Sequence, residues 1–342
     1  MKHSPAEGPQ GPDAYPSLAG RSVIVTGGGQ GIGRHLALAL ADRGANVVAT
    51  AARDAASLRD TVSLAEDLAG DIVPLQADIR NPDDCERTVT FAIAEFGGLQ
   101  GLVNNAARGI AYVRETTGGG PVAFWETDRA RWVETMTTNV IGTFQMSAVA
   151  GAYMAEQGFG RIVNVSTSDR SMVREMNSPY GPSKAALEAM SAAWAKESAE
   201  RGVTVNVLLP GGATDTRMVT GVSQRVPLPP DIMNPAILWL CSDASNGHTG
   251  GRYKADDWDA AAAPEAAAAG VEIEALLQQE VESKITAPTP ETIAAFYQDN
   301  LARMGGRTLE EMTPTLEGVL LEEARGEALQ TWLDALKTRM GF

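Results

Sequence analysis

From Arg21 onward, short runs rich in β-branched residues alternate with segments of helical length, and this alternation leaves the chain very few folds to choose from. The runs are SVIVT (22–26), ANVVAT (45–50), DIVPLQAD (71–78), LQGLVNN (99–105), RIVNVS (161–166) and VTVNVLL (203–209). Between them lie Ala- and Leu-rich stretches such as GRHLALALADRG and DDCERTVTFAIAEFG. A run that is apolar at consecutive positions buries both of its faces, and parallel strands need crossovers long enough to hold a helix. The pattern therefore predicts an α/β chain whose doubly wound parallel sheet occupies residues 21–258.

The flanks read differently. Residues 1–20 are polar and rich in Pro and Gly, and are expected to form a flexible leader without the apolar stretch of an export signal. Past residue 258 comes an Ala/Pro-rich connector, 259–288. It holds DAAAAPEAAAAG and then VEIEALLQQEVESK, where Ile273, Leu277 and Val281 recur at helical spacing and predict a short helix. Residues 289–342 are expected to form a helical C-terminal extension, with Thr289 capping a helix that starts at Pro290 and Thr308 forming a capping box with Glu311. Residues 260–342 hold 14 acidic and 6 basic side chains. Yet Ile293, Phe296, Leu301, Met304, Val319, Leu320, Leu329, Trp332, Leu333 and Leu336 offer apolar surface. They are expected to dock the extension on the first domain or on a neighbouring subunit of a homo-oligomer, a dimer or a tetramer.

Charge and composition exclude several classes. A net charge of −15 argues against nucleic acid or an anionic membrane as partner, and no apolar run of about 18 residues predicts a membrane span. Cys85 and Cys241 are the only cysteines, which fits a reducing cytoplasm better than a disulfide framework. His3, His35 and His248 are too scattered to suggest a metal centre.

Two motifs carry chemistry. The first run passes straight into TGGGQGIGRH, Thr26 to His35, which opens a helix. Glycine is needed where the backbone turns sharply and lets a pyrophosphate approach the N–H groups at the positive end of a helix. Arg34 and His35 follow Gly33 where a P-loop requires Lys-Ser/Thr, so that reading fails, whereas a glycine turn serving another ligand, such as a methyltransferase's, stays open on this motif alone. Farther along, SPYGPSK places Tyr180 four residues before Lys184 on one helical face. A positive charge about 6 Å from a phenol, at an effective dielectric of about 20, favours phenolate by about 2.8 kcal/mol, and is expected to bring Tyr180 towards pKa 8.

Taken together, these motifs resemble the short-chain dehydrogenase/reductase family. Thr26-Gly27-x-x-x-Gly31-x-Gly33 is similar to its glycine loop, NNAA (104–107) to its Asn-Asn-Ala-Gly, and Asn139 in TTNVIGTF, Ser166, YGPSK and Pro210-Gly211 follow in the family's order over about residues 20–255. The resemblance implies a Rossmann fold and hydride transfer between a nicotinamide cofactor and a secondary alcohol/ketone pair on a small-molecule substrate. It makes Tyr180 the general acid/base, Ser166 the hydroxyl that bonds the substrate oxygen, Lys184 the holder of the ribose, and Asn139 the support of a water-linked proton relay. It assigns Gly27, Gln30, Gly31, Ile32, Gly33, Arg53, Asp78, Ile79, Asn105, Ala106, Pro210, Gly211, Ala213 and Thr216 to the cofactor, with Asp78 accepting from the adenine amino group. A dinucleotide-binding regulatory or scaffold protein that recruits a partner through its acidic tail is the alternative.

Departures from the family pattern are specific to this chain. The second run ends in Thr50, Ala51, Ala52 and Arg53, with no carboxylate for a ribose 2′-OH, so the lean is to NADP over NAD with Arg53 as phosphate partner. Gln30 leans the other way, since NADP-using relatives often carry a basic residue there. The stretch between NNAA and Asn139 is about ten residues longer than usual. Its Tyr112, Phe124 and Trp125 either wall a pocket for a bulky or aromatic substrate or pack the insertion onto the sheet. An extra residue after Gly211 leaves Thr214 and Thr216 both candidates for the nicotinamide contact. The segment from Met218 to Pro235 corresponds to a substrate lid, stiffened by its prolines.

Overall fold

The computed structural model describes residues 15–216, 226–258, 285–301, 304 and 307–340. Residues 1–14 of the expected leader, the lid residues 218–225 and the predicted helix within 271–284 lie outside the described residues. The chain divides into two compact units, Met1–Pro264 and Glu265–Phe342.

In the first unit, strands β1 (Ser22–Thr26), β2 (Asn46–Ala51), β3 (Ile72–Gln76), β4 (Gly101–Asn104), β5 (Gly160–Val165), β6 (Val203–Leu209) and β7 (Arg252–Lys254) form one 7-stranded sheet in the order β3-β2-β1-β4-β5-β6-β7. Every pairing is parallel. The six expected runs are all strands. The seventh, three residues long at the sheet edge, carries too short a pattern to be read from sequence. β1, β4, β5 and β6 are buried at every position, as two-sided burial requires.

Alternation along β1 shows how the helices divide. Val23 and Val25 face a layer built by α1 (Gly31–Asp42) and α9 (Asn234–Cys241), through Leu36, Leu40, Ile237 and Trp239. Ile24 faces the other layer with Val89 and Ala92 of α3 (Pro82–Phe96) and Met146 and Ala150 of α6 (Thr143–Gln157). The remaining helices are α2 (Ala55–Ser63), α4 (Ile110–Arg114), α5 (Arg129–Met136), α7 (Asp169–Met172) and α8 (Tyr180–Ser198). A π-helical turn, Thr137–Gly142, joins α5 to α6. The end of the expected leader is not free: Pro16–Leu18 is a 3-10 turn, Leu18 is fully buried, and Ser17 Oγ accepts from Asp243 N at 2.9 Å. Leu18 has apolar surface to bury, and burial outweighs the local Pro/Gly-rich composition.

A polar seam crosses the core beneath the strand ends. Asn104 Nδ2 donates to Asn164 Oδ1 at 2.8 Å and to Ser147 Oγ at 2.9 Å, and Asn164 Nδ2 donates to Ser191 Oγ on α8 at 2.8 Å. These bonds tie β4 and β5 to α6 and α8.

In the second unit, helices Pro290–Asp299 and Leu309–Met340 share a small core of Ile293, Met304, Met312 and Leu316, with Phe296 and Leu320 packed against it. Both expected caps form: Thr289 accepts from Thr292 N, and Thr308 N donates to Glu311 Oε2 at 2.8 Å while Glu311 N donates to Thr308 Oγ1 at 3.3 Å. Ile293 and Met304, expected to dock the extension elsewhere, are thus buried within it. Two amphipathic helices cover each other's apolar stripe first. Leu301 and Val319 stay exposed. The side chains of Leu329, Trp332, Leu333 and Leu336 lie outside the described residues.

Replacing Asn164 by Ala removes one bond from the Asn104 amide and one from the Ser191 hydroxyl, which keep only Ser147 Oγ and Leu187 O. The expected loss is about 2–4 kcal/mol of stability, read as a lower urea midpoint with the slope unchanged.

Candidate active site

The strand order turns about β1, which has β2 on one side and β4 on the other, so the crossovers leave in opposite directions and open a crevice at the strand C-termini. A cleft of about 870 Å³ lies there, lined by Gly27, Gln30, Gly31, Ile32, Gly33, Arg53, Asp78, Ile79, Asn105, Ala106 and Thr216 among the expected cofactor residues. Pro210, Gly211 and Ala213 are not in its lining, and neither are Asn139, Ser166, Tyr180 and Lys184.

The glycine turn is built for close approach. Gly27 and Gly31 have φ of +69° and +53°. A Cβ on Gly33 would lie 2.2 Å from Gly27 O and 2.4 Å from Asn105 Nδ2. Helix α1 starts after Gln30 without a side-chain cap, leaving its first N–H groups to whatever enters the cleft. These features fit a dinucleotide pyrophosphate. Asn105 is a brace for the turn: Nδ2 donates to Thr26 O at 3.0 Å and to Gly27 O at 3.2 Å, and its own N–H donates to Thr26 Oγ1. Thr216 packs over Gly31, its Cγ2 lying 3.2 Å from where a Cβ would stand, whereas Thr214 is buried in a bridge with Leu228. Thr216 is therefore the threonine that reaches the cleft.

Charge at the far end of the cleft is organised by one carboxylate that the sequence reading missed. Glu134 on α5 accepts from Arg53 at 3.0 Å, from Arg80 at 2.5 Å, from Arg108 at 2.5 Å and from the Tyr112 hydroxyl. The Tyr112 bond, helped by the arginines, holds Glu134 below the usual carboxylate range. Asp78 is likewise held low by the Arg80 guanidinium, which donates Nε to both of its oxygens at 3.0 Å. Arg53 thus lines the cleft and gives one guanidinium bond, from Nη2, to Glu134, with its side chain still 65% exposed. No short-range pattern signals this cluster, because Arg53, Arg80, Arg108 and Glu134 come from four separate elements.

The insertion is anchored by Tyr112, which lies beneath the Arg108 and Arg131 guanidiniums, 4.0 and 4.5 Å from its ring centroid. Phe124 and Trp125 neither pack down nor enter the cleft: they are 72% and 73% exposed and stack edge-on against each other.

Tyr180 opens α8. The side chain set against its phenol is Thr167. Ser166, expected there, is turned away: its Oγ donates to Glu188 Oε1 at 2.5 Å. Ser166 N still bonds Leu208 O in the ladder, and its side chain meets α8 at Glu188, two turns beyond Tyr180. Asn139 sits on the π-helical turn, 1% exposed. It donates to Arg108 O at 3.0 Å and to Ser183 Oγ at 2.9 Å, while Ser183 Oγ donates to Tyr180 O at 2.7 Å. Its side chain thereby links the loop after β4 to the first turn of α8.

Lys184 is buried and donates to Val165 O at 2.6 Å. The expectation that it lowers the Tyr180 phenol is corrected here. Burial pushes the phenol up, opposed by Thr167, and pushes the Lys184 ammonium down to about 8, opposed by Glu188. The Coulomb argument left out desolvation, which penalises phenolate and ammonium alike.

Comparison with known proteins agrees with this geometry. The family model described as short chain dehydrogenase matches residues 21–227. Acetoacetyl-CoA reductase of Allochromatium vinosum is 31% identical over 242 residues, 67% of this chain and 94% of that protein. A 2,5-dichloro-2,5-cyclohexadiene-1,4-diol dehydrogenase of Sphingobium indicum is 31% identical over 254 residues, 70% of this chain and 96% of the relative. A peroxisomal hydratase-dehydrogenase-epimerase of Neurospora crassa is 31% identical over 72% of this chain, which spans only 26% of that longer protein. A solved dehydrogenase/reductase from Sinorhizobium meliloti superposes with a TM-score of 0.62 at 28% identity, covering 70% of this chain and 95% of the other. Among the described residues no helix is long and apolar enough to cross a membrane. With a parallel sheet, a glycine turn shaped for a pyrophosphate and a family model matched across both, the chain belongs to the short chain dehydrogenase family of NAD(P)-dependent oxidoreductases.

Proposed function

We propose that the chain interconverts a secondary alcohol and a ketone with NADP(H) in preference to NAD(H), with Tyr180 as the proton donor and acceptor and Thr167, in place of Ser166, as the hydroxyl that orients the substrate oxygen. The observation that carries this reading is the Tyr180 phenol at the start of α8, one turn before the buried Lys184 and with the Thr167 side chain set against it. The bound nicotinamide would supply or accept the hydride. Burial keeps the phenol protonated, the form required to donate to a carbonyl oxygen as the carbon gains hydride. Lys184, with a pKa of about 8, can replace that proton or bind ribose hydroxyls, and Asn139 ties the Arg108 backbone to Ser183 in the first turn of α8.

Gly27, Gly31, Ile32 and Gly33 would hold the pyrophosphate, and Asp78 and Ile79 the adenine. Support for NADP is the lack of a carboxylate at the end of β2 and the three arginines that share Glu134. Buried free thiols at Cys85 and Cys241, both pushed up to about 12 by burial, support a reducing cytoplasmic setting.

The test is a panel of carbonyl acceptors, among them ethyl acetoacetate and acetoacetyl-CoA, and of cyclic diols, each with NADPH or NADP and NADH or NAD, followed by nicotinamide absorbance. Tyr180→Phe and Thr167→Val should each lower turnover by about 10²–10⁴ with dinucleotide affinity retained, while Ser166→Ala should cost far less. The reverse ranking of Thr167→Val and Ser166→Ala would return the role to Ser166.

Arg53→Ala should weaken NADPH by about 1.5 kcal/mol, roughly tenfold, and leave NADH unchanged in fluorescence titrations. Equal losses for the two would remove Arg53 from cofactor choice.

Lys184 also makes stability depend on pH. Burial lowers its folded pKa from 10.5 to about 8, so between those values the unfolded chain holds the extra proton and stability rises with pH. Lys184→Met should therefore abolish turnover yet be more stable than wild type at pH 7, by about 1–3 kcal/mol, an advantage that fades towards pH 10.5. Urea melts at the two pH values measure it.

A further inference from the structure

The chain leaving β5 is gripped at three successive residues. Lys184 Nζ donates to Val165 O at 2.6 Å, Ser166 Oγ donates to Glu188 Oε1 at 2.5 Å, and Arg252 Nη2 donates to Thr167 O at 3.1 Å. Glu188 joins the last two grips, because its Oε2 accepts from Arg252 Nε at 2.8 Å. Arg252 is braced in turn by Asp169 at 3.0 Å. Glu188 stands four residues beyond Lys184 and eight beyond Tyr180, on the same side of α8. Its side chain is mostly buried, 18% exposed, and Arg252 supplies the compensating charge from the edge strand β7.

The position of these contacts matters more than their number. Ser166 N makes the closing ladder bond from this strand end to β6, and past it the carbonyl of Thr167 rests on Arg252. Thr167 is the side chain set against the phenol. Neither Glu188 nor Arg252 lines the cleft. Their reach to the reacting groups runs through the backbone of residues 166 and 167.

We propose that Glu188 and Arg252 are positioning residues for the reaction: as a pair they set the direction in which the chain leaves β5, and so where the Thr167 hydroxyl meets the Tyr180 phenol. This rests on the roles given above to Thr167 and Tyr180. Loss of either partner lets Thr167 drift by a fraction of its own size, enough to spoil a proton transfer while leaving the dinucleotide cleft alone.

The experiment uses the full chain with NADPH and ethyl acetoacetate, a small activated ketone that makes few demands on a pocket. Glu188→Ala and Arg252→Met should each lower kcat about 10- to 100-fold, with the NADPH dissociation constant unchanged. The double variant should be no worse than the poorer single one, because the two side chains act as one unit. Glu188→Gln can turn its single acceptor oxygen to Arg252 Nε and donate its amide N–H to Ser166 Oγ, and should recover most of kcat, whereas Arg252→Lys cannot bond Glu188 and Thr167 O together and should not. Arg252 lies on the surface edge of the sheet, so its variants fold even if Glu188→Ala does not, and it has no contact with Lys184 that could explain a loss. Hydrogen exchange gives a second readout: the peptide spanning residues 163–172 should take up deuterium faster in both single variants.

Unchanged kcat in Glu188→Ala and Arg252→Met, additive losses in the double variant, or unchanged exchange in that peptide would each overturn the proposal. Full turnover in Thr167→Val would instead overturn the reading beneath it, so the two failures are separable.

Discussion

Parallel pairing of β1 with β2 on one side and β4 on the other is the constraint on which the rest depends. Parallel strands end at one edge of the sheet, and crossovers leaving β1 and β4 in opposite directions cannot cover the gap between them. That gap receives the glycine turn, the ends of β2 and β3, and the loop after β4. The same pairing requires every strand near the centre to be apolar on both faces. Asn164 is held there by accepting from Asn104 Nδ2 and donating to the Ser191 hydroxyl, and Asn104 Nδ2 also donates to Ser147 Oγ.

Charge is handled differently at the two ends of the site. Where the ends of β2 and β3 approach α5, three guanidiniums share the Glu134 carboxylate, with Asp78 holding Arg80, so charges of both signs are paired at that end of the cleft. At the β5 end desolvation dominates. It holds the Tyr180 phenol neutral and brings the Lys184 ammonium down to about 8, because burial penalises the charged form of each. Thr167 and Glu188 moderate these shifts, and both belong to the network at the end of β5.

Much of this was legible in the chain itself. The strands over 22–26 and 203–209 coincide with their apolar runs, because burial on both faces leaves a signal that needs no tertiary context. The helix caps at Thr289 and Thr308 were legible for a similar reason: capping chemistry acts over three residues. The edge strand Arg252–Lys254, by contrast, is recruited by its neighbour β6 and carries little pattern of its own.

The amino-acid sequence by itself determined the doubly wound sheet, the glycine turn and the placement of Tyr180 one turn before Lys184, since each is a local pattern of spacing and residue type. Only the tertiary structure decided which hydroxyl lies by the phenol, because Ser166 and Thr167 are adjacent in the chain and only the packing of the β5 end on α8 sets one against Glu188 and the other against Tyr180. It also decided that Arg53 pairs with Glu134, 81 positions away, and that burial overrides the Lys184 charge in setting the phenol's ionisation. Distances between elements and exclusion from water are properties of packing, and no window of sequence contains them.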